Sequence, residues 1–314
     1  MTIPIVFAID DNVVIACGVA LTSLSLNARP DTLYDVYILY QKDKLSRENQ
    51  QTLISSFADK VNLTIRFVET QDYSSINITG NFISHATYCR LSIPDLFPQF
   101  DKIIYADIDM IFQQDLATVF TDSLRQGEWV AAALDLAIGD SFVFKSPMPA
   151  KVGKTETDYF NAGFLIMNLQ AMRDDHVSDL FRSHFSKRYE QNDQDILNIV
   201  CHEHAEILPS IYNFQVNHFL NYMWGRTNPD ISFKDLFSAA TLHYTWKHKP
   251  WNSLECVASD VWWYYYKLSP FYDDAIYFKR QQDQIEAIRN DYHNRTNKQL
   301  LMRVLANIKH KLFG

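Results

Sequence analysis

Asp101-Lys102-Ile103-Ile104-Tyr105-Ala106-Asp107-Ile108-Asp109-Met110 is the stretch on which the fold turns. A short apolar run ends in two carboxylates that flank one apolar residue. On an extended chain, residues two apart point to the same side. Asp107 and Asp109 can then converge on one cation while Ile108 packs inward. Two carboxylates with no thiolate nearby suit a hard divalent ion such as Mg²⁺ or Mn²⁺, which keeps positions open for water or phosphate. The chemistry this suggests is metal-assisted departure of a phosphate-bearing group. The same pattern also caps turns, so the rest of the chain has to decide between the two.

Upstream, strand-like and helix-like segments alternate. Ile3–Ile9 reads as a buried strand, and Val13–Asn27 as a helix stopped before Pro30. Tyr34–Tyr40 and Asn62–Val68 read as strands, with a helix from Ser46, a plausible N-cap, toward Ala58 between them. Thr87–Phe97 reads as helix and Lys102–Ala106 as the strand that delivers the acids. Downstream, Trp129–Leu134 and Phe164–Leu169 are further strand candidates. Residues 138–159 read as a loop or lid, and the pattern is helical from Gln170 through Arg188 and again from Asp195. This order predicts an α/β fold with a mainly parallel sheet flanked by helices. Ligands gather at the carboxyl ends of such strands. Asp10, Asp107, Asp109 and Asp135 all follow apolar runs, so one crevice can hold them.

The chain has 314 residues and a formal net charge of −8, which argues against a general nucleic-acid binder. Its four cysteines are scattered without paired spacing. That suits reduced thiols in the cytoplasm better than a disulfide or zinc framework. No secretory leader is visible, and the longest apolar stretch, Val13–Leu24, is too short to span a bilayer. There is neither a Gly-rich dinucleotide fingerprint nor a Walker loop, so phosphate binding must rely on a metal and side chains.

Asp273–Tyr292 and Lys298–Phe313 read as two helices. The second carries Leu300, Val304, Ile308 and Leu312 four apart, with Lys298, Arg303, Lys309, His310 and Lys311 at other positions. A basic amphipathic helix either lies on an anionic membrane surface or docks on its own domain. An acceptor at the membrane, as inferred below, favours a peripheral contact at the inner face of the cell membrane.

Four further segments join the twin acids: Val6-Phe7-Ala8-Ile9-Asp10-Asp11-Asn12, Tyr159-Phe160-Asn161-Ala162-Gly163-Phe164-Leu165-Ile166-Met167-Asn168, Asn192-Asp193-Gln194-Asp195-Ile196-Leu197-Asn198 and His243-Tyr244-Thr245-Trp246-Lys247-His248-Lys249-Pro250-Trp251. With these in order, residues 3–251 resemble the glycosyltransferases of family 8, above all bacterial lipooligosaccharide α-galactosyltransferases and lipopolysaccharide glucosyltransferases. The resemblance implies a GT-A fold over 1–255 with a C-terminal helical region over 256–314. It implies transfer of glucose or galactose, with retention, from a UDP-hexose donor to a glycan or glycolipid acceptor, with Mn²⁺ as cofactor and Mg²⁺ as the alternative. Ala8, Asp10 and Asn12 would line the uridine pocket, and Arg90 would bind the donor near its sugar and ribose. Asp107, Asp109 and His243 would ligate the metal, with Ile108 at the donor between the acids. Asp135, Asn161 and Ala162 would contact the transferred sugar, Asp193 and Gln194 its hydroxyls and anomeric carbon, and Lys249 the diphosphate.

Two departures from the family pattern stand out. Trp246 occupies a position where glycine is common in the lysine-bearing loop, and Val13 replaces an aromatic beside the uracil site. Asp11 reads as a turn acid, Cys201-His202-Glu203-His204 as a polar helix end rather than a zinc site, and Trp262–Tyr266 as packing in preference to an acceptor platform. Two other readings remain open. One is a phosphatase of the haloacid dehalogenase type, with Asp107 as nucleophile. The other is a non-catalytic nucleotide-sugar or glycan binder.

Overall fold

The computed structural model describes residues 1–79, 84–136, 158–216 and 233–313. Its main sheet has seven strands: β1 (Thr2–Ala8), β2 (Leu33–Gln41), β3 (Leu63–Thr70), β4 (Lys102–Ala106), β6 (Val130–Leu134), β7 (Phe160–Asn168) and β8 (Ala205–Leu208). They lie in the order β3-β2-β1-β4-β7-β6-β8. A smaller sheet is formed by β5 (Met110–Phe112), β10 (Thr241–His243) and β9 (Phe214–Gln215), in the order β5-β10-β9.

Alternation along the strands places the core on both faces of the main sheet. In β1, Ile3, Ile5 and Phe7 pack on one face and Val6 on the other. In β4, Ile104 and Ala106 pack with the first group, Ile103 and Tyr105 with the second. A sheet buried on both faces must be covered by helices. Helix α1 (Val14–Leu26) is apolar around most of its circumference and almost wholly buried. Helix α2 (Arg47–Ser56) buries only Leu53 and is capped at its N-terminus by Ser46, whose hydroxyl accepts from Asn49 N–H.

Strand β7 departs from the parallel expectation: it runs antiparallel to both β4 and β6. It also starts at Phe160, four residues before the predicted start, because the whole segment is buried and a buried strand shows no alternation. Its N-terminal residues therefore reach the same sheet edge as the carboxyl ends of β1, β4 and β6. Strands β5 and β8 are too short to show a period. The predicted helix over 87–97 is a 3₁₀ helix, His85–Ser92, running into α3 (Ile93–Leu96). At three residues per turn, Thr87 and Arg90 share one face.

Beyond α4 (Ala117–Asp122), the predicted helix over 170–188 is two short helices, α5 (Leu169–Asp174) and α6 (Val177–Arg182), parted by His176 at φ 54°. Next come α7 (Asp193–Val200), α8 (Phe233–Ser238) and α9 (Ser259–Leu268). The 138–159 loop falls almost entirely outside the described residues.

The chain divides into two compact units, Met1–Phe271 and Tyr272–Gly314. Helix α9 belongs to the first unit. Trp262, Trp263 and Tyr266 are buried there, and Tyr265 Oη accepts from Asn27 Nδ2 at 2.8 Å. The second unit holds one helix, α10 (Asp274–Phe313), where two were expected. No proline or glycine lies between 273 and 313, and residues such as Asn294 and Thr296 cost a helix only tenths of a kcal/mol, about 0.7 at most. The side chains from 300 on, which carry the membrane expectation, lie outside the described residues. Among the described residues, no helix is long and apolar enough to cross a membrane.

Candidate active site

The carboxyl ends of β1, β4 and β6 and the start of β7 border a cleft of about 290 Å³. Ala8, Asp10, Arg90, Asp107, Ile108, Asp109, Asp135, Asn161, Ala162, Asp193, Gln194, His243 and Lys249 all line it. Asn12 is the exception among the residues expected there. It is exposed, and its backbone N–H donates to Asp10 Oδ1 at 2.9 Å, because the chain turns into a 3₁₀ helix at Asp11–Val13. Asn12 therefore shapes the Asp10 carboxylate from outside the cleft.

The twin acids do not lie on one extended strand. Residues 108 and 109 form a turn between β4 and β5. Ile108 packs at the core margin and also faces the cleft. Convergence comes instead from the second sheet: β10 pairs antiparallel with β5 so that His243 lies opposite Met110. Tyr244 N–H donates to Asp109 O at 2.9 Å and fixes the register. His243 Nε2 stands 3.2 Å from Asp109 Oδ1 and 3.8 Å from Asp107 Oδ2.

One ligand atom from each of the three lies within 4.8 Å of the others. Asp109 Oδ1 is buried and has no hydrogen-bond partner. A buried unsatisfied carboxylate oxygen facing an imidazole nitrogen is a strong demand for positive charge. The oxygen and nitrogen donors fit a hard or borderline divalent ion. Burial alone would raise the Asp109 carboxyl, but Lys249 and His243 hold it far below the usual carboxylate range. Lys249 Nζ contacts Asp109 Oδ2 and donates to Tyr244 O at 2.7 Å.

Arg90 joins the metal side of the cleft to the far side. Its guanidinium is buried, 3.1 Å from Asp107 Oδ1 and 2.9 Å from Asp193 Oδ2. It also donates to Thr87 O at 2.9 Å and to Ala162 O, and lies 4.6 Å over the Tyr105 ring. Tyr105 Oη donates to Asp107 Oδ1 at 2.7 Å. Burial raises the Asp193 carboxyl above its ordinary value, against the pull of Arg90.

The far side is an amide network. Gln194 Nε2 donates to Asp135 Oδ2 at 2.9 Å, and Gln194 Oε1 accepts from Ala162 N–H at 3.0 Å. Asn161 Nδ2 donates to the same Asp135 oxygen at 3.0 Å. Tyr159 Oη donates to Asp195 Oδ1 at 2.6 Å, and Asp195 Oδ2 accepts from Gln191 N–H at 2.9 Å, which pins the start of α7.

Sequence reasoning missed Tyr105, Thr87, Tyr159, Asp195 and Asn213. Tyr105 and Asp107 are two apart at the end of β4, a spacing that could have signalled the contact. Asn213, inside Ile211-Tyr212-Asn213-Phe214, showed only as a polar residue in an apolar run. Trp246 lies in the cleft wall at φ 71°, the left-handed region that glycine enters freely. All four cysteines are buried and none is in a disulfide.

The chain is similar to known proteins. The profile of glycosyl transferase family 8 matches residues 4–255. The lipopolysaccharide 1,3-galactosyltransferase of Salmonella typhimurium is 26% identical over 260 residues, 79% of this chain and 73% of that protein. The lipopolysaccharide 1,2-glucosyltransferase of Escherichia coli K12 is 26% identical over 291 residues, 86% of this chain and 79% of that protein. The match to a Haemophilus influenzae relative spans less than two thirds of that protein's length, 63%. The galactosyltransferase LgtC, solved with donor and acceptor sugar analogues, superposes with a TM-score of 0.69 at 25% identity, covering 87% of this chain and 98% of LgtC.

The chain belongs to glycosyltransferase family 8, with the GT-A-like α/β fold of LgtC. The haloacid dehalogenase reading of Asp107 falls with this assignment.

Proposed function

We propose that this enzyme moves glucose or galactose from a UDP-sugar to a bacterial surface glycan of the lipopolysaccharide type, with retention and with Mn²⁺ bound. The observation that carries it is the Asp107, Asp109 and His243 cluster, with Asp109 Oδ1 buried and without a hydrogen bond. Both lipopolysaccharide relatives act on that class of acceptor, and their names divide between galactose and glucose.

Asp107, Asp109 and His243 would hold Mn²⁺, with Mg²⁺ as substitute. Bound there, the ion supplies positive charge where the leaving diphosphate becomes anionic. Lys249 swings from Asp109 to the diphosphate and adds a second positive charge. Asp10, seated by Asn12 N–H, faces the uracil ring, with Ala8 beside it. Asp135, Asn161 and Ala162 orient the hexose.

The sugar passes through an oxocarbenium-like state. Neither nearby side chain makes a good covalent nucleophile. Gln194 Oε1 is held by Ala162 N–H, and Asp193 is held against Arg90. We therefore favour same-face attack. The C1–O bond to the diphosphate breaks, the C1–O bond to the acceptor forms, and the acceptor hydroxyl proton passes to the departing phosphate oxygen.

The test is a donor screen with UDP-glucose, UDP-galactose and their N-acetyl forms, scored by UDP release with and without Mn²⁺. Turnover of one plain hexose donor, lost on chelation, is expected. UDP binding without turnover of any donor would favour a non-catalytic binder. A stable sugar adduct on Asp193 would replace same-face attack with a covalent route.

A further inference from the structure

Behind the cation cluster, a chain of amides fixes the position of one proton. Gly163 N–H donates to Asn161 Oδ1 at 2.9 Å, and a backbone N–H has no other role to take. Asn161 therefore turns Nδ2 to Asp135, at 3.0 Å. The same Asn161 Oδ1 faces Asn213 at 2.9 Å, so the Asn213 atom there is Nδ2. Asn213 Oδ1 then faces His243 Nδ1 at 2.8 Å and can accept only if Nδ1 carries the hydrogen. In the neutral ring Nε2 is then the bare nitrogen, and it faces Asp109 and Asp107. Asn213 itself is fully buried and outside the cleft lining. It precedes β9, which runs parallel to β10 with Gln215 opposite His243.

We infer that Asn213 is a positioning residue that holds His243 in its metal-ligating tautomer and ties that ligand, through Asn161, to the Asp135–Gln194 pair that grips the donor sugar. The inference rests on the function proposed above. Partners that orient a ligating histidine typically change metal affinity about 10- to 100-fold when removed. The second link makes donor binding and metal binding share one rigid chain.

Two variants of the full chain separate the links. Asn213→Ala removes both. Asn213→Asp keeps an acceptor for Nδ1–H, as in carboxylate–histidine–metal triads, but offers no N–H to Asn161. Free Mn²⁺ is followed by electron paramagnetic resonance during titration with and without UDP, alongside thermal unfolding and the KM for donor. Asn213→Ala should weaken Mn²⁺ about 10- to 100-fold. Asn213→Asp should keep Mn²⁺ affinity within about threefold while raising donor KM and lowering kcat. A lower Tm in both variants with unchanged Mn²⁺ affinity would overturn the inference, and so would equal weakening of Mn²⁺ in both. Should Asn213→Ala fail to fold, Asn213→Asp decides: loss of Mn²⁺ binding or unchanged donor KM overturns the inference. Wild-type protein that takes up no Mn²⁺ would overturn the proposed function along with it.

Discussion

Gly163 is the floor on which the His243 ring lies. A Cβ at Gly163 would stand 2.1 Å from His243 Cε1 and 2.7 Å from Nδ1. Both atoms belong to a ring already held by Asn213, so the neighbour cannot yield without leaving its place. Gly163→Ala should therefore displace the imidazole from the twin acids. The expected result is a loss of stability of about 1–3 kcal/mol, the usual cost of overpacking, together with loss of Mn²⁺-dependent UDP release. Wild-type Mn²⁺ affinity in this variant would show that the ring has another seat.

Arg90 is paired with Asp193 and is one of the groups that hold Asp107. Removing one partner of a buried charge group strands the others. Arg90→Met should cost about 3–5 kcal/mol in urea unfolding. Adding Asp193→Asn should recover part of that, because one stranded carboxylate is then neutral. A single-variant cost below about 1 kcal/mol would mean that water reaches the pair.

Trp246 holds a left-handed backbone that disfavours any side chain by about 1–2 kcal/mol. Trp246→Gly should relieve that strain, so its Tm should match or exceed the wild type. The indole lines the cleft, so donor KM should rise in the same variant. A destabilised variant with unchanged KM would show that the indole serves packing instead.

Asp11 gives a pH signature on the surface. Its Oδ1 accepts from Asn49 Nδ2 at 2.8 Å, Ser46 N–H at 2.8 Å and Ser46 Oγ at 3.1 Å, and so ties the end of β1 to the start of α2. The hydrogen bond from Asn49, then those from Ser46, lower its carboxyl below the ordinary value. A carboxyl depressed in the fold stabilises it above the unfolded value of 3.8, and that gain is lost as pH falls through the folded value. Asp11→Ala should cost about 1 kcal/mol at pH 7. The difference from wild type should shrink in unfolding measured below about pH 4. An undiminished difference at pH 3 would assign the effect to something other than the carboxylate.

Much of the cleft was legible because its residues follow apolar runs. Asp10, Asp107 and Asp135 each close a strand, and parallel strands bring their ends to one edge. Lys102–Ala106 and Ser46 stand where local patterning puts them. Asn12 stands outside the cleft lining because a turn just after a strand can send its side chain either way, and periodicity does not report which. Strand β7 was shortened, and its direction missed, because a strand buried on both faces carries no alternation and no sign of its partner's direction.

Local chemistry along the chain thus determined strands β1 to β4 and β6, and the acids at their ends. Those signals depend only on neighbours a few residues apart. The tertiary structure alone decided that His243 meets Asp109 across the β5–β10 pairing, that Arg90 bridges Asp107 and Asp193, and that Asn213 sets the histidine proton. Each of those contacts joins residues 17 to 134 positions apart, and only strand register and close packing bring such residues within hydrogen-bond reach.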